Sequence, residues 1–169
     1  ASGLAKSLNV ARKSGDRLPE MLVGNVTFPR DEKGNISASL AELEDALKQF
    51  PAKEYIVLEK NDYKIAIFGI MGKDSASNAP MAEVTFTDYI ENAARIVSDI
   101  KQNERVDMIL CISHSGTEGK SPNTEDEILA KKVGDIDLII SGHSHTVIPE
   151  PIIVGKTTIV SCGSYTEKL

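Results

Sequence analysis

No apolar run in this 169-residue chain approaches the ~18 residues that a membrane-spanning helix needs, which excludes membrane insertion by this segment. A basic excess is missing as well. Nineteen lysines and arginines stand against 25 aspartates and glutamates, a formal charge of −6. That balance excludes a general nucleic-acid-polymer or anionic-membrane surface, since both require a positive face. Cysteine is scarce: Cys111 and Cys162 are the only two. Both sit in apolar runs and read as small buried hydrophobes, which leaves the redox compartment open. There is no G-x-x-x-x-G-K-[ST] loop and no G-x-G-x-x-G fingerprint; "GIMGKDS" (69–75) contains Gly-Lys but lacks the spacing of a phosphate loop. No targeting segment is present, and because the chain opens "ASGLAKSL" it is expected to be excised from something longer.

What remains is ordinary for one globular domain: 41% hydrophobic and 26% charged residues, with no internal repeat. Periodicity predicts a helix over 3–14, with Leu4, Leu8 and Ala11 in line and Gly15 as its stop. A short strand is expected at 20–26. A second amphipathic helix is expected at 39–50, capped by Ser39 with Glu42 three residues on. "YIVLEKNDYKIAIFGI" (55–70) reads as two strands around an Asn61-Asp62 turn, and 75–82 as a loop. The strongest helix lies at 86–102, capped by Thr87, with Tyr89, Ala93, Ile96, Val97 and Ile100 as its stripe. Strands at 106–113 and 136–141 are apolar on both faces and flank a helix at 126–134. That is the pattern of neighbouring parallel strands in a layered α/β sheet. A hairpin at 150–164 turns at Gly155-Lys156.

Only three histidines occur, and all lie where an apolar strand stops: His114 in "DMILCISHSG", His143 and His145 in "DLIISGHSHT". Ligands of such sheets bind beyond the carboxyl ends of the strands. Neutral imidazole offers a lone pair to a divalent metal near neutral pH. One intervening residue lets both rings of the H-x-H pair approach one volume if the turn after Gly142 aims them inward, and glycine permits backbone conformations closed to other residues. His114, on the neighbouring strand about 4.8 Å away, could add a ligand. From these residues alone two readings stand: metal ligands, or hydrogen-bonded residues at strand ends. A Ser113-His114-Ser115 nucleophile is disfavoured, because adjacent residues on a strand point apart. Gly15-Asp16 and Gly134-Asp135 read as helix C-caps rather than metal-binding carboxylates.

At "CISHSG", "ISGHSHT" and "IVSCGSY" the sequence resembles the calcineurin-like metallophosphoesterases, and within them the bacterial branch of 5′-nucleotidases, UDP-sugar hydrolases and 2′,3′-cyclic-nucleotide phosphodiesterases. The resemblance covers nearly the whole chain, with 39–50 as a local insertion. It implies part of a layered α-β-β-α sandwich, with a mixed sheet and parallel core strands. It implies two divalent metal ions, zinc, manganese or similar, with His114 and His143 on one and His145 on the other. These metals would activate water for in-line displacement on a nucleotide or other small phosphoester. The family's D-x-H, G-D-x-x-D and G-N-H-[DE] motifs are absent. Residues 1–169 are therefore expected to be a partial catalytic domain, without its N-terminal half or a C-terminal substrate domain. Such a fragment is expected to be inactive, to hold metal weakly or not at all, to contain no complete catalytic set and to self-associate. The resemblance also implies an exported bacterial protein, periplasmic or in the cell wall or outside. Two alternatives carry other consequences: a mononuclear zinc hydrolase built on the three histidines, and a non-catalytic α/β binding domain.

Overall fold

The computed structural model describes residues 1–50, 52–118 and 124–165. Along them run α1 (Ser2–Lys13), β1 (Met21–Leu22), β2 (Val26–Thr27), α2 (Ala38–Gln49), β3 (Ala52–Lys53), β4 (Tyr55–Lys60), β5 (Tyr63–Met71) and α3 (Lys73–Ser77). Then come β6 (Thr85–Phe86), α4 (Tyr89–Asn103), β7 (Met108–His114), α5 (Glu125–Lys132), β8 (Leu138–Ser141), β9 (Ile152–Val154) and β10 (Thr157–Val160). The hairpin β4–β5 forms as its sequence predicts. Lys60 faces Tyr63 across the turn, and Asn61 and Asp62 take φ of 51° and 67°, the left-handed pair that a tight two-residue hairpin demands.

Six strands form one mixed sheet in the order β4-β5-β7-β8-β10-β9. β5, β7, β8 and β10 are mutually parallel, and the antiparallel strands β4 and β9 close the two edges. Helices α4 and α5 cover one face. There Tyr89, Ala93, Ile96, Val97 and Ile100 pack with Leu129 onto Phe68, Cys111, Ile139 and Ile159, all buried. Each fully buried side chain of this size contributes roughly 1.5–3 kcal/mol, so this is the core that holds the strand ends in place. The opposite face is equally apolar but open among the described residues: Ile112 is 49% exposed, Ile140 40% and Met108 37%. A parallel sheet is normally covered on both sides.

Several expectations shift. The segment 20–26 splits into β1 and β2, because after Val23, whose N–H still donates to Lys53 O in β3, the chain turns to line β5 beyond Phe68, where its pairing with β4 has ended, Gly24 N–H donating to Gly69 O at 3.1 Å. A Cβ on Gly24 would stand 2.4 Å from that carbonyl. The caps fall on neighbours of the predicted residues. Ser37, not Ser39, accepts from Leu40 N–H, and Asp88, not Thr87, accepts from Ile90 and Glu91 N–H. Ser39 bonds Glu83, and the Thr87 hydroxyl is engaged with Asn25 O and Asn92 Nδ2. In α1 the buried residues are Ala5 and Leu8, which pack with Leu43, Ala46 and Phe50 of the α2 region, and Leu4 is half-exposed. The loop expected from 75 opens as helix α3. Cys111 is buried as expected, whereas Cys162 is exposed in an isolated bridge to Val147; both are free thiols.

Candidate metal centre

β7 and β8 run parallel in register, Ser113 opposite Ser141, so the chain leaves both strands at the same edge. His114 is the last residue of β7, and His143 lies two residues beyond β8. The structure brings these two rings together, edge to face, with centroids 5.1 Å apart. His145 takes a different place: its ring lies against Tyr165, centroid to centroid 5.2 Å. The His114 pKa is lowered, chiefly because burial penalises the imidazolium and secondarily because His143 and His145 lie near it. A lowered value keeps the imidazole neutral, the form that can ligate a metal.

The glycine before the pair acts by a different cause than its sequence position suggested. Gly142 does not take a positive φ; His143 and His145 do, at 81° and 55°. A Cβ on Gly142 would stand 3.3 Å from both His114 Nδ1 and Ser113 O. The glycine is needed for close approach, and its contact turns the Nδ1 side of His114 toward the Gly142 backbone. The left-handed histidines are held by hydroxyls: Ser144 Oγ and Thr146 Oγ1 each donate to Thr117 O at 2.6 Å, and Thr117 N–H donates to Ser144 Oγ at 3.1 Å. The turn after β8 is thereby tied to the loop after β7.

Sequence reasoning missed the acidic residues that support these loops. Three consecutive carboxylates open α5. Glu125 accepts from Lys73 and Asp74 N–H at 2.9 and 3.0 Å, at the start of α3. Asp126 Oδ1 accepts from Ser113 Oγ at 2.6 Å. Glu127 accepts from the hydroxyls of Thr117, at 2.6 Å, and Thr124. Asp126 and Glu127 are buried, and burial pushes the Asp126 carboxyl up to about 6, against the Ser113 hydroxyl, which favours its charged form. Nothing in the sequence separated this triplet from a solvated first helical turn. Asp74 was missed too: its Oδ2 lies 2.8 Å from His143 Nε2. Ser113 and Ser115 are buried with their hydroxyls 2.8 Å apart, which rules them out as an exposed nucleophile beside His114.

The donor set suits a divalent cation in part. Two convergent imidazoles, one kept neutral by burial, are the right chemistry. Among the described residues, however, no group of three or more histidine, cysteine, aspartate or glutamate side chains closes around one point.

A mixed sheet that delivers histidine-bearing loops to the carboxyl edge of its parallel strands is the architecture of the calcineurin-like metallophosphoesterases, in their 5′-nucleotidase branch. The 5′-nucleotidase precursor from Thermus thermophilus superposes with a TM-score of 0.64 at 26% identity, over 94% of this chain and 29% of that one. In sequence, the trifunctional nucleotide phosphoesterase protein YfkN of Bacillus subtilis is 36% identical over 63% of this chain and 7% of its own length. A 5′-nucleotidase of Diplobatis ommata is 31% identical over 73% of this chain and 20% of its own. The chain belongs to the family described as bacterial capsule synthesis protein PGA_cap, which matches residues 46–168. It spans less than a third of the length of each relative named here.

Proposed function

We propose that these residues are part of a divalent-metal-dependent phosphoester hydrolase of 5′-nucleotidase type, acting on a nucleotide or a similar small phosphoester. The observation that carries this reading is the edge-to-face pair His114–His143 at the carboxyl ends of two parallel strands. The names of the relatives supply the substrate class. His114 and His143 would hold one cation, with His145 directed to a second. A divalent cation in this place supplies Lewis-acid polarisation of a phosphoryl group. The chain's own part is to fix the two rings, through Gly142 and the Thr117–Ser144–Thr146 hydroxyl link, and to keep His114 unprotonated. The test is calorimetric titration with zinc. Binding is expected to be weak, because the set is open, and to disappear in His114→Ala or His143→Ala while surviving in His145→Ala. Tight binding lost equally in all three variants would instead support a mononuclear three-histidine site.

The open apolar face supports a second element of the reading: residues 1–169 form one part of a larger two-sheet domain whose other part covers Ile112 and Ile140. A groove of about 660 Å³ runs along this face from Leu22 and Val26 to Ile112, His114 and Ile140, so covering it would also complete the surroundings of His114. Contiguous exposed apolar surface promotes association. The isolated chain is therefore expected to self-associate, its light-scattering mass rising with concentration. A constant monomer mass over a hundredfold concentration range would contradict this. No helix of the described residues is long and apolar enough to cross a membrane. Export from a bacterial cell is the location we propose, on the strength of the relative that is named a precursor.

A further inference from the structure

The segment "GKDS" (72–75) has no part in the reading above, yet it is anchored onto the centre at four points. Gly72 N–H donates to His114 O at 3.2 Å, and the Ser75 hydroxyl donates to the same carbonyl. Glu125 holds the N–H groups of Lys73 and Asp74. Approach at Gly72 is so close that a Cβ there would meet Ser115 Cα at 2.5 Å. The start of α3 is thus attached to the end of β7 mainly through backbone. From that platform the Asp74 carboxylate reaches past β7 to the turn after β8, where Oδ2 lies 2.8 Å from His143 Nε2 and 3.3 Å from Asn78 Nδ2.

An ionised carboxylate only accepts hydrogen bonds, so the His143 nitrogen facing it is the one that carries hydrogen. We propose that Asp74 is the positioning residue of His143: it fixes the Nε2–H tautomer and the ring's orientation, leaving Nδ1 as the lone-pair nitrogen for a divalent cation. This rests on the metal reading above and adds to it a residue outside the histidine motifs. The Asp74 side chain is 68% exposed and that of His143 20%, so the pair contributes little to stability. Its effect falls on the choice between two neutral tautomers that are otherwise close in energy. A carboxylate behind a metal-binding imidazole acts on affinity in this way, and its loss typically costs about 10–100-fold. The exposure of Asp74 places its effect near tenfold.

The test begins without metal. In the ¹⁵N-labelled chain at about pH 8.5, roughly two units above the ordinary imidazole value, long-range ¹H–¹⁵N correlation reports each histidine tautomer. His143 is expected in the Nε2–H form, to become mixed in Asp74→Ala, and to keep that form in Asp74→Asn, whose amide oxygen still accepts; His145 should not change. Zinc affinity is expected to fall about tenfold in Asp74→Ala and to be largely restored in Asp74→Asn. A wild-type His143 with its hydrogen on Nδ1, a tautomer indifferent to Asp74→Ala, or an unchanged zinc affinity in that variant overturns the assignment. A wild-type chain that binds no zinc sinks the metal reading instead, and the metal-free comparison then decides the part played by Asp74.

Discussion

Assayed by itself with added manganese or zinc, the 169-residue chain is expected to hydrolyse 5′-AMP or an aryl phosphate no faster than background. Two-metal phosphoester chemistry needs cations held about 3.5–4 Å apart by shared ligands. The described residues bring two imidazoles together and no third metal-binding side chain onto the same point. His145 is turned to Tyr165 instead. Enzymes of this kind accelerate hydrolysis at least about a millionfold, so the shortfall is large and easily measured. The control is the same assay on a longer polypeptide that also supplies the D-x-H and G-N-H-[DE] residues absent here. Turnover by the short chain on the order of 10 per second would mean that the three histidines suffice, and would favour the alternative of a mononuclear zinc hydrolase.

The second large effect concerns stability. Asp126 is buried with a carboxyl pushed up to about 6 from 3.8, burial being the main cause. A folded-state value above the unfolded one means the native chain holds its proton longer. The stability this group contributes is present in acid and is lost as pH rises from about 4 through about 6. A difference of that size between the folded and unfolded values corresponds to about 3 kcal/mol. Asp126→Asn removes the charge, keeps an acceptor for the Ser113 hydroxyl, and presents N–H to the buried Ser141 Oγ beside it. That variant is expected to exceed the wild type at pH 8 by up to about 3 kcal/mol, with the advantage vanishing near pH 4. Asp126→Ala, which takes away the buried hydrogen bond from Ser113 and leaves that hydroxyl only Ser115 Oγ as acceptor, is expected to cost about 1 kcal/mol in acid. Urea unfolding at the two pH values, in chelator, measures each difference. A wild-type minus Asn difference that is flat across this range would show that Asp126 ionises as freely in the folded chain as in the unfolded one.

Which features could be read beforehand follows from where their causes lie. The β4–β5 hairpin, the α4 stripe and the parallel β7–β8 pair rest on local periodicity and turn chemistry, and these were legible. So was the placing of His114 and His143 at one edge, since it needs only two apolar strands running the same way. The caps were not legible to the residue. Ser37 and Ser39, like Thr87 and Asp88, are equally able in isolation, and the choice is made by distant partners, Glu83 for Ser39 and Asn25 for Thr87. α3 was hidden because "KDSAS" is small and polar, with no apolar face to mark a helix; its start is held by Glu125, about fifty positions away along the chain. Asp126 and Glu127 resembled an ordinary acidic first turn, because burial of a carboxylate is a property of the whole packing. The rotation of His145 toward Tyr165 likewise depends on where the chain returns after β10.

The attachment of α3 to His114 is made to the carbonyl oxygen and not to the ring. Any amino acid carries that oxygen. Exchanging the histidine therefore removes an imidazole, the proposed ligand, while the platform under Asp74 stays in place. In this architecture the chemistry is detachable from the framework that presents it. A lineage could shed its metal at this position and keep its silhouette, so resemblance of outline among such proteins is no warrant that they all hydrolyse anything.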